Sequence, residues 1–226
     1  MKRSKKYLAA AEKIDRNKKY SLDEAVILLP EINAAAFAGT VELSILLKLS
    51  DKQKKETIRG SYTLPHSLGK EVNVLLFAGK GYKADKSKAD TVGGEELIKK
   101  VEDGKVDFDV VIATPDMMPK IAKLGKTLGT KGLMPNPKNG TVTDDPDKAI
   151  AKFKAGTKNY KMDDAGRLNA AVAKIDMKSE QISENIKQFF KAVGGDIRKL
   201  GTGVIKRVTL SPSIGPSIQL DTADLI

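Results

Sequence analysis

Val72-Asn73-Val74-Leu75-Leu76-Phe77 is a nearly continuous apolar run of strand length, and Val110-Val111-Ile112-Ala113 is a second. Strands that read apolar without alternation are buried on both faces, the condition of a parallel sheet covered by helices. Helical spacing lies around and beyond them. One stretch runs from about Glu95 to Glu102 and another from Met117 to Leu124. A third opens at Asp145-Pro146, with Asp as N-cap and Pro at the first helical position, and its buried stripe is Ala149, Ile150 and Phe153. Strands alternating with helices predict βαβ units and an α/β domain.

Outward from this segment the pattern changes to half-buried elements. Upstream, Val41, Leu43, Ile45, Leu47 and Leu49 alternate with polar positions, the period of a strand with one buried face. A polar turn at Ser50–Lys55 and a second strand over Thr57–Leu64, stopped by Pro65, predict an antiparallel hairpin. Before it, Tyr7–Tyr20 carries Leu8, Ala11 and Ile14 at helical spacing. Ser21-Leu22-Asp23-Glu24 has the form of a capping box, opening a helix from Leu22 to about Leu29 that Pro30 ends. Downstream, Leu168, Ala170, Val172 and Ala173 lead to Ile175 as a strand. An amphipathic helix follows through Ile182, Ile186, Phe189, Phe190 and Val193, with Gly194-Gly195 as its stop. Two strands, Val204–Leu210 and Ser217–Leu220, close the chain. The economical architecture is a mixed α/β fold, α+β plus α/β. Residues 1–67 and 159–226 form one split domain with an antiparallel sheet, and residues 68–158 are inserted as a second domain.

The chain has 226 residues, 40 Lys plus Arg against 29 Asp plus Glu, and a formal charge of +11. Of these, 23 basic and 16 acidic residues lie outside the insert, so the excess is larger in the split domain. An excess of this size favours a polyanionic partner, with nucleic acid ahead of a membrane surface. No cysteine is present, which excludes disulfides and thiolate zinc sites. His66 is the single histidine, which excludes multi-histidine metal sites. No stretch approaches the apolar length of a membrane span, and a cytoplasmic protein is expected.

The segment Leu124–Val142 holds glycines, prolines and lysines, and no carboxylate occurs from Met117 to Thr143. A stiff loop studded with Lys126, Lys131 and Lys138 is suited to phosphate, although turn residues on a surface give the same composition. Gly125-Lys126-Thr127 lacks the upstream glycine of a phosphate-binding loop, since residue 120 is Lys. Gly79-x-Gly81-x-x-Ala84 follows a strand, as a dinucleotide fingerprint does, but Asp85–Asp90 lacks the apolar stripe of the helix that should follow. A nucleotide-dependent enzyme built on that turn is the alternative from another class. His66, Asp163-Asp164 and Asp144-Asp145 sit in strand-end or turn contexts, and no catalytic constellation or cofactor site emerges. Aromatics are only 5%, which argues against base stacking as the main mode and for folded RNA gripped through phosphate and 2′-hydroxyl. The turn Ser211–Pro216, with small side chains and Gly215, suits close backbone approach.

Several motifs carry a resemblance. Leu128-Gly129-x-x-Gly132-Leu133-Met134-Pro135-Asn136-Pro137-Lys138-x-Gly140-Thr141-Val142 resembles the signature of the first-numbered large-subunit ribosomal protein family, bacterial type. Arg59-Gly60, Leu64-Pro65-His66, Gly69-Lys70, Phe37-x-x-Thr40-Val41-Glu42 and Ser211-x-Ser213-Ile214-Gly215-Pro216-Ser217 are similar to it as well. The resemblance implies a split RNA-binding domain and an inserted Rossmann-like three-layer domain. It implies binding to a stalk of large-subunit rRNA beside the exit site, a part in releasing deacylated tRNA, repression of the protein's own mRNA, and contact with other ribosomal components. By motif position, the rRNA surface would comprise Phe37, Thr40, Glu42, Lys174, Ser211, Ser213, Ile214 and Gly215. Lys126, Lys131, Asn136 and Lys138 would form a loop facing tRNA or solvent. The chain departs from the family pattern at Ala38-Gly39, Asp164, Asn169, Ser213 and Ile214.

Overall fold

The computed structural model describes residues 3–49, 58–69, 72–79, 89–102, 107–130, 132–201 and 203–222. The chain divides into two compact units, Met1–Leu68 with Tyr160–Ile226, and Gly69–Asn159. The polar turn expected at Ser50–Lys55 lies outside the described residues. Elements are numbered in chain order.

In the inserted unit, β3 (Val74–Phe77) pairs in parallel with β4 (Thr91–Gly93) on one side and β5 (Val110–Ala113) on the other. All four residues of β3 are buried. Leu75 and Phe77 join the cluster of Leu97, Val101, Ile121 and Leu128. Val74 and Leu76 join the opposite cluster, with Ile150 and Phe153. The continuous apolar run is thus a two-faced strand between two helical layers. α3 (Glu95–Glu102), α4 (Met118–Ile121) and α5 (Gly125–Thr130) cover one face, and α6 (Pro146–Lys154) covers the other. Asp145 occupies the N-cap position of α6, but its carboxylate accepts from Lys148 Nζ at 2.9 Å and makes no cap hydrogen bond.

In the split unit, β1 (Thr40–Leu47), β7 (Arg167–Lys174), β8 (Ile205–Pro212) and β9 (Ile218–Leu220) form an antiparallel sheet in the order β7-β1-β8-β9. The expected hairpin of the first two strands does not form. Both edges of β1 are taken, by β7 and β8, and β2 (Arg59–Thr63) pairs instead with β6 (Thr157–Lys161). Val41, Leu43 and Ile45 are fully buried toward α2 (Leu22–Ile32) and α7 (Ser179–Lys199). Tyr62, Tyr160 and Phe189 stack edge-on or tilted in this core, with centroids 4.8–6.3 Å apart.

In this unit three helices end elsewhere than the sequence reading placed them. The capping box of Ser21 and Glu24 is present, yet α2 runs past Pro30 to Ile32, because the fully buried Ile32 holds the last turn in the core. α7 runs through Gly194-Gly195 to Lys199. Ile197 is buried one turn on, and Asp196 accepts from Tyr160 Oη and Lys199 Nζ, both at 2.7 Å. Those contacts outweigh the roughly 1 kcal/mol that each glycine costs a helix. α1 (Lys5–Glu12) ends early and leaves Leu8 half-exposed. The Asp15–Lys18 turn follows, and Asp15 N–H donates to Tyr20 Oη at 2.9 Å. Tyr20 then bridges to Leu220 at the sheet edge.

Candidate nucleic-acid interface

The two-fold period of β1 and β8 sorts their residues. Val41, Leu43 and Ile45 face the core, while Glu42, Ser44 and Leu46 face the other way, exposed or half-exposed. On β8, Val208, Leu210 and Pro212 are buried and Arg207, Thr209 and Ser211 are not. Register aligns the outward sets in rows: Glu42 opposite Ser211, Ser44 opposite Thr209, Leu46 opposite Arg207. On the other edge, Ser44 faces Asn169, Leu46 faces Arg167 and Thr40 faces Lys174. The result is a sheet face of hydroxyl, amide, ammonium and guanidinium groups around Leu46, with one carboxylate, Glu42, among the described residues.

All eight residues assigned by motif to the rRNA surface gather at one end of this sheet. Ser213 N–H donates to the Thr40 carbonyl at 2.9 Å. Its hydroxyl donates to Glu42 Oε1 at 2.5 Å and lies 3.2 Å from the Thr40 carbonyl oxygen. Ala34 N–H donates to the Ile214 carbonyl at 2.9 Å, and the Asn33 side chain donates to the Phe37 carbonyl at 3.2 Å. The two loops therefore present Phe37 (64% exposed) and Ile214 (49% exposed) outward on linked backbones. Lys174 is half-buried, and its N–H approaches Met177 Sδ at 3.3 Å.

Gly215 is needed for a different reason from the one expected. A Cβ built there would lie 2.6 Å from the Ile32 carbonyl oxygen and 2.6 Å from Pro212 Cγ. The glycine lets the loop close on α2 and β8, so its missing side chain serves the protein's own packing.

The lysine-rich segment is half helix. α5 begins within it and ends in a Schellman motif: Gly132 has φ +70°, Leu133 N–H donates to the Leu128 carbonyl at 2.9 Å, and Gly132 N–H donates to Gly129 at 3.1 Å. Leu133 packs against the apolar cluster that holds Leu128. Asn136 turns its side-chain oxygen inward to accept from Lys138 N–H at 2.9 Å, and Thr141 Oγ1 accepts from Asn136 N–H at 2.8 Å. Asn136 thus shapes the turn that presents Lys138. Lys126 and Lys138 are exposed, and Lys131 lies outside the described residues. Gly79 N–H donates to Thr114 Oγ1 at 3.1 Å, and Gly81 and Ala84 of the alternative dinucleotide turn also lie outside the described residues.

Residues 28–216, which include both the sheet-end loops and the lysine-rich segment, match the family model described as the Ribosomal protein L1p/L10e family. The chain belongs to that family. Its members are ribosomal proteins, not enzymes, and the nucleotide-dependent alternative is set aside. The chain is 43% identical over 229 residues to the Large ribosomal subunit protein uL1 of Lactobacillus delbrueckii subsp. bulgaricus, covering 100% of this chain and 99% of the relative. It is 42% identical to the protein of that name from Streptococcus gordonii, covering 99% of each. With the Thermosipho melanesiensis protein it shares 44% identity over 99% of this chain and 98% of the relative. Among the described residues no helix is long and apolar enough to cross a membrane, and no cluster of metal-ligating side chains occurs.

Apart from Asn169, noted as a departure from the family pattern, the motifs left the sheet face itself unread. Ser44, Asn169, Arg167, Arg207 and Thr209 share the face of Glu42 and Ser211. The signal was available: continuing the two-residue period from Glu42 and Ser211 along each strand selects Ser44, Thr209 and Arg207.

Proposed function

We propose that this protein is a constituent of the large ribosomal subunit that binds the rRNA stalk beside the exit site through the end of its four-stranded sheet. The observation that carries the proposal is the convergence of Phe37, Thr40, Glu42, Ser211, Ser213 and Ile214 on loops tied by the hydrogen bonds between Ser213 and Thr40, Ser213 and Glu42, and Ala34 and Ile214. A carboxylate on an RNA surface repels phosphate. Its place is opposite a donor such as a ribose 2′-hydroxyl or a base amino group. The Ser213 hydroxyl occupies Oε1 of Glu42 and leaves Oε2 for such a donor. Lys174 supplies phosphate neutralisation one register step away, and Phe37 and Ile214 supply apolar faces for ribose or base.

As a ribosomal protein the chain works in the cytoplasm, on the ribosome. The proposal extends to a part in releasing deacylated tRNA from the exit site, with Lys126 and Lys138 turned toward the tRNA. It also includes repression of the protein's own mRNA by an RNA shape that imitates the ribosomal one. The net charge of +11 and the carboxylate-free stretch Met117–Thr143 support these readings.

The test is binding to the stalk RNA fragment and to a length-matched control duplex across a salt series. Preference for the stalk fragment that persists at high salt is expected. Equal binding that falls together on both RNAs would reduce the surface to a generic basic one.

A further inference from the structure

On the outward side of β8 and β9, next to the sheet end, lies a cavity of about 280 Å³, which the motifs reach only through Pro216 and Ser217. Arg3, Arg16 and Arg207 line it, with Tyr7, Thr209 and Ser217. Arg3 stacks on the Tyr7 ring, its guanidinium carbon 4.3 Å from the centroid, so one wall is held in place. Among the described residues the lining holds one carboxylate, Asp15, whose Oδ1 already accepts from Asn17 N–H at 2.9 Å. None of the three arginines has an ion-pair partner among the described residues. Three guanidinium groups around a small cavity repel one another, and the arrangement is relieved when a polyanion enters. Each offers five donors in a planar fork, matched to phosphate oxygens.

The cavity is continuous with the sheet-end interface. Arg207, Thr209 and Ser211 lie on the same face of one strand, about 3.4 Å apart per residue along it, and Ser217 follows Gly215 by two positions. A strand of RNA seated against Ser211 and Glu42 and running down β8 arrives with its backbone at Thr209 and then Arg207.

We infer that the Arg3–Arg16–Arg207 cavity is a phosphate-binding extension of the RNA interface, taking the backbone of the strand that leaves the sheet end. The inference rests on the RNA-binding reading above. It also offsets a feature of the sheet face, where the apolar Leu46 stands between Arg167 and Arg207.

The deciding experiment measures the salt dependence of binding to the stalk RNA and to the control duplex for four proteins. These are the wild type, the triple variant Arg3→Gln/Arg16→Gln/Arg207→Gln, Arg207→Lys and Ser213→Ala. The triple variant is expected to lose about 1.5 units of log–log slope on the stalk RNA, about two phosphate contacts, and about tenfold in affinity at moderate salt. Arg207→Lys keeps the charge and should keep the slope while losing affinity with its planar fork, and a wild-type melting midpoint in the triple variant separates lost phosphate contact from misfolding. An unchanged slope in the triple variant, with Ser213→Ala still weakened, overturns the cavity and leaves the interface standing. An equal slope loss on stalk RNA and control duplex also overturns it, by reducing the arginines to a generic basic patch. Wild-type binding that does not prefer the stalk RNA defeats the interface reading, and the inference falls with it.

Discussion

The Ser213 hydroxyl donates to Glu42 Oε1 at 2.5 Å, joining a loop residue to the end of a central strand across 171 positions of sequence. Both side chains are exposed, so the bond contributes little to folding, and its effect is to aim a carboxylate. Ser213→Ala is expected to weaken stalk-RNA binding roughly five- to tenfold, the equivalent of about 1–1.4 kcal/mol, with the melting midpoint almost unmoved. Filter binding and a thermal melt on the same sample check both halves. An affinity within twofold of wild type would remove this pair from the interface.

Gly215→Ala is expected to act first on the protein itself. The added methyl meets the Ile32 carbonyl oxygen and Pro212 at 2.6 Å, and neither can move without shifting the end of α2 or β8. A loss of roughly 1–3 kcal/mol in stability should accompany any loss of RNA affinity. Weakened RNA binding with an unchanged denaturant midpoint would mean that the glycine serves the RNA instead.

Asn185 is fully buried on α7, and it accepts from His66 N–H at 3.0 Å and donates to the carbonyls of His66 at 3.1 Å and Val172 at 2.8 Å. Asn185→Leu leaves three backbone groups without these partners. The expected cost is about 2–4 kcal/mol. Chemical denaturation would show it, and a loss below about 1 kcal/mol would mean that water replaces the amide. His66 is thereby explained as structural: its backbone is clamped by Asn185, and its ring lies 2.7 Å from Glu184 on the same helix.

Lys126→Ala/Lys138→Ala is expected to leave stalk-RNA affinity within about twofold, because both lysines belong to the inserted unit, while tRNA exit on reconstituted ribosomes slows. A tenfold loss of stalk-RNA binding would assign the rRNA contact to the wrong unit.

Asp90 has its carboxyl held below the usual carboxylate range, first by the Val74 N–H at 2.9 Å and then by Lys154 Nζ at 3.1 Å. A depressed folded-state pKa stabilises above the unfolded value, near 4, and that stability is lost as pH falls through the lower folded value. Asp90→Asn should therefore narrow its gap to the wild-type melting midpoint as pH drops from 6 toward 3. A constant gap would mean that the pair is screened by solvent.

Much of the fold was legible because its signals are local. The apolar run Val74–Phe77, the capping box at Ser21 and the stripe Ala149, Ile150 and Phe153 each follow from residues within one element. The readings that failed depended on a partner elsewhere. Pro30 and Gly194-Gly195 are ordinary helix breakers, overruled by the burial of Ile32 and Ile197. The expected hairpin of the first two strands was lost because β1 pairs with segments more than a hundred residues away. Asn185, between Ile182 and Ile186, has a sequence context that does not separate it from any polar helix residue.

The sequence by itself determined the family, the basic charge and the strand and helix periods, since motif spacing and side-chain alternation are written along the chain. Only the tertiary structure decided that Glu42 meets Ser213, that Gly215 is required by Ile32 and Pro212, and that Arg3, Arg16 and Arg207 share one cavity. The reason is physical. Antiparallel pairing in the order β7-β1-β8-β9 joins segments from both ends of the chain, and registers between distant strands are set by mutual packing of buried faces, which no local pattern encodes.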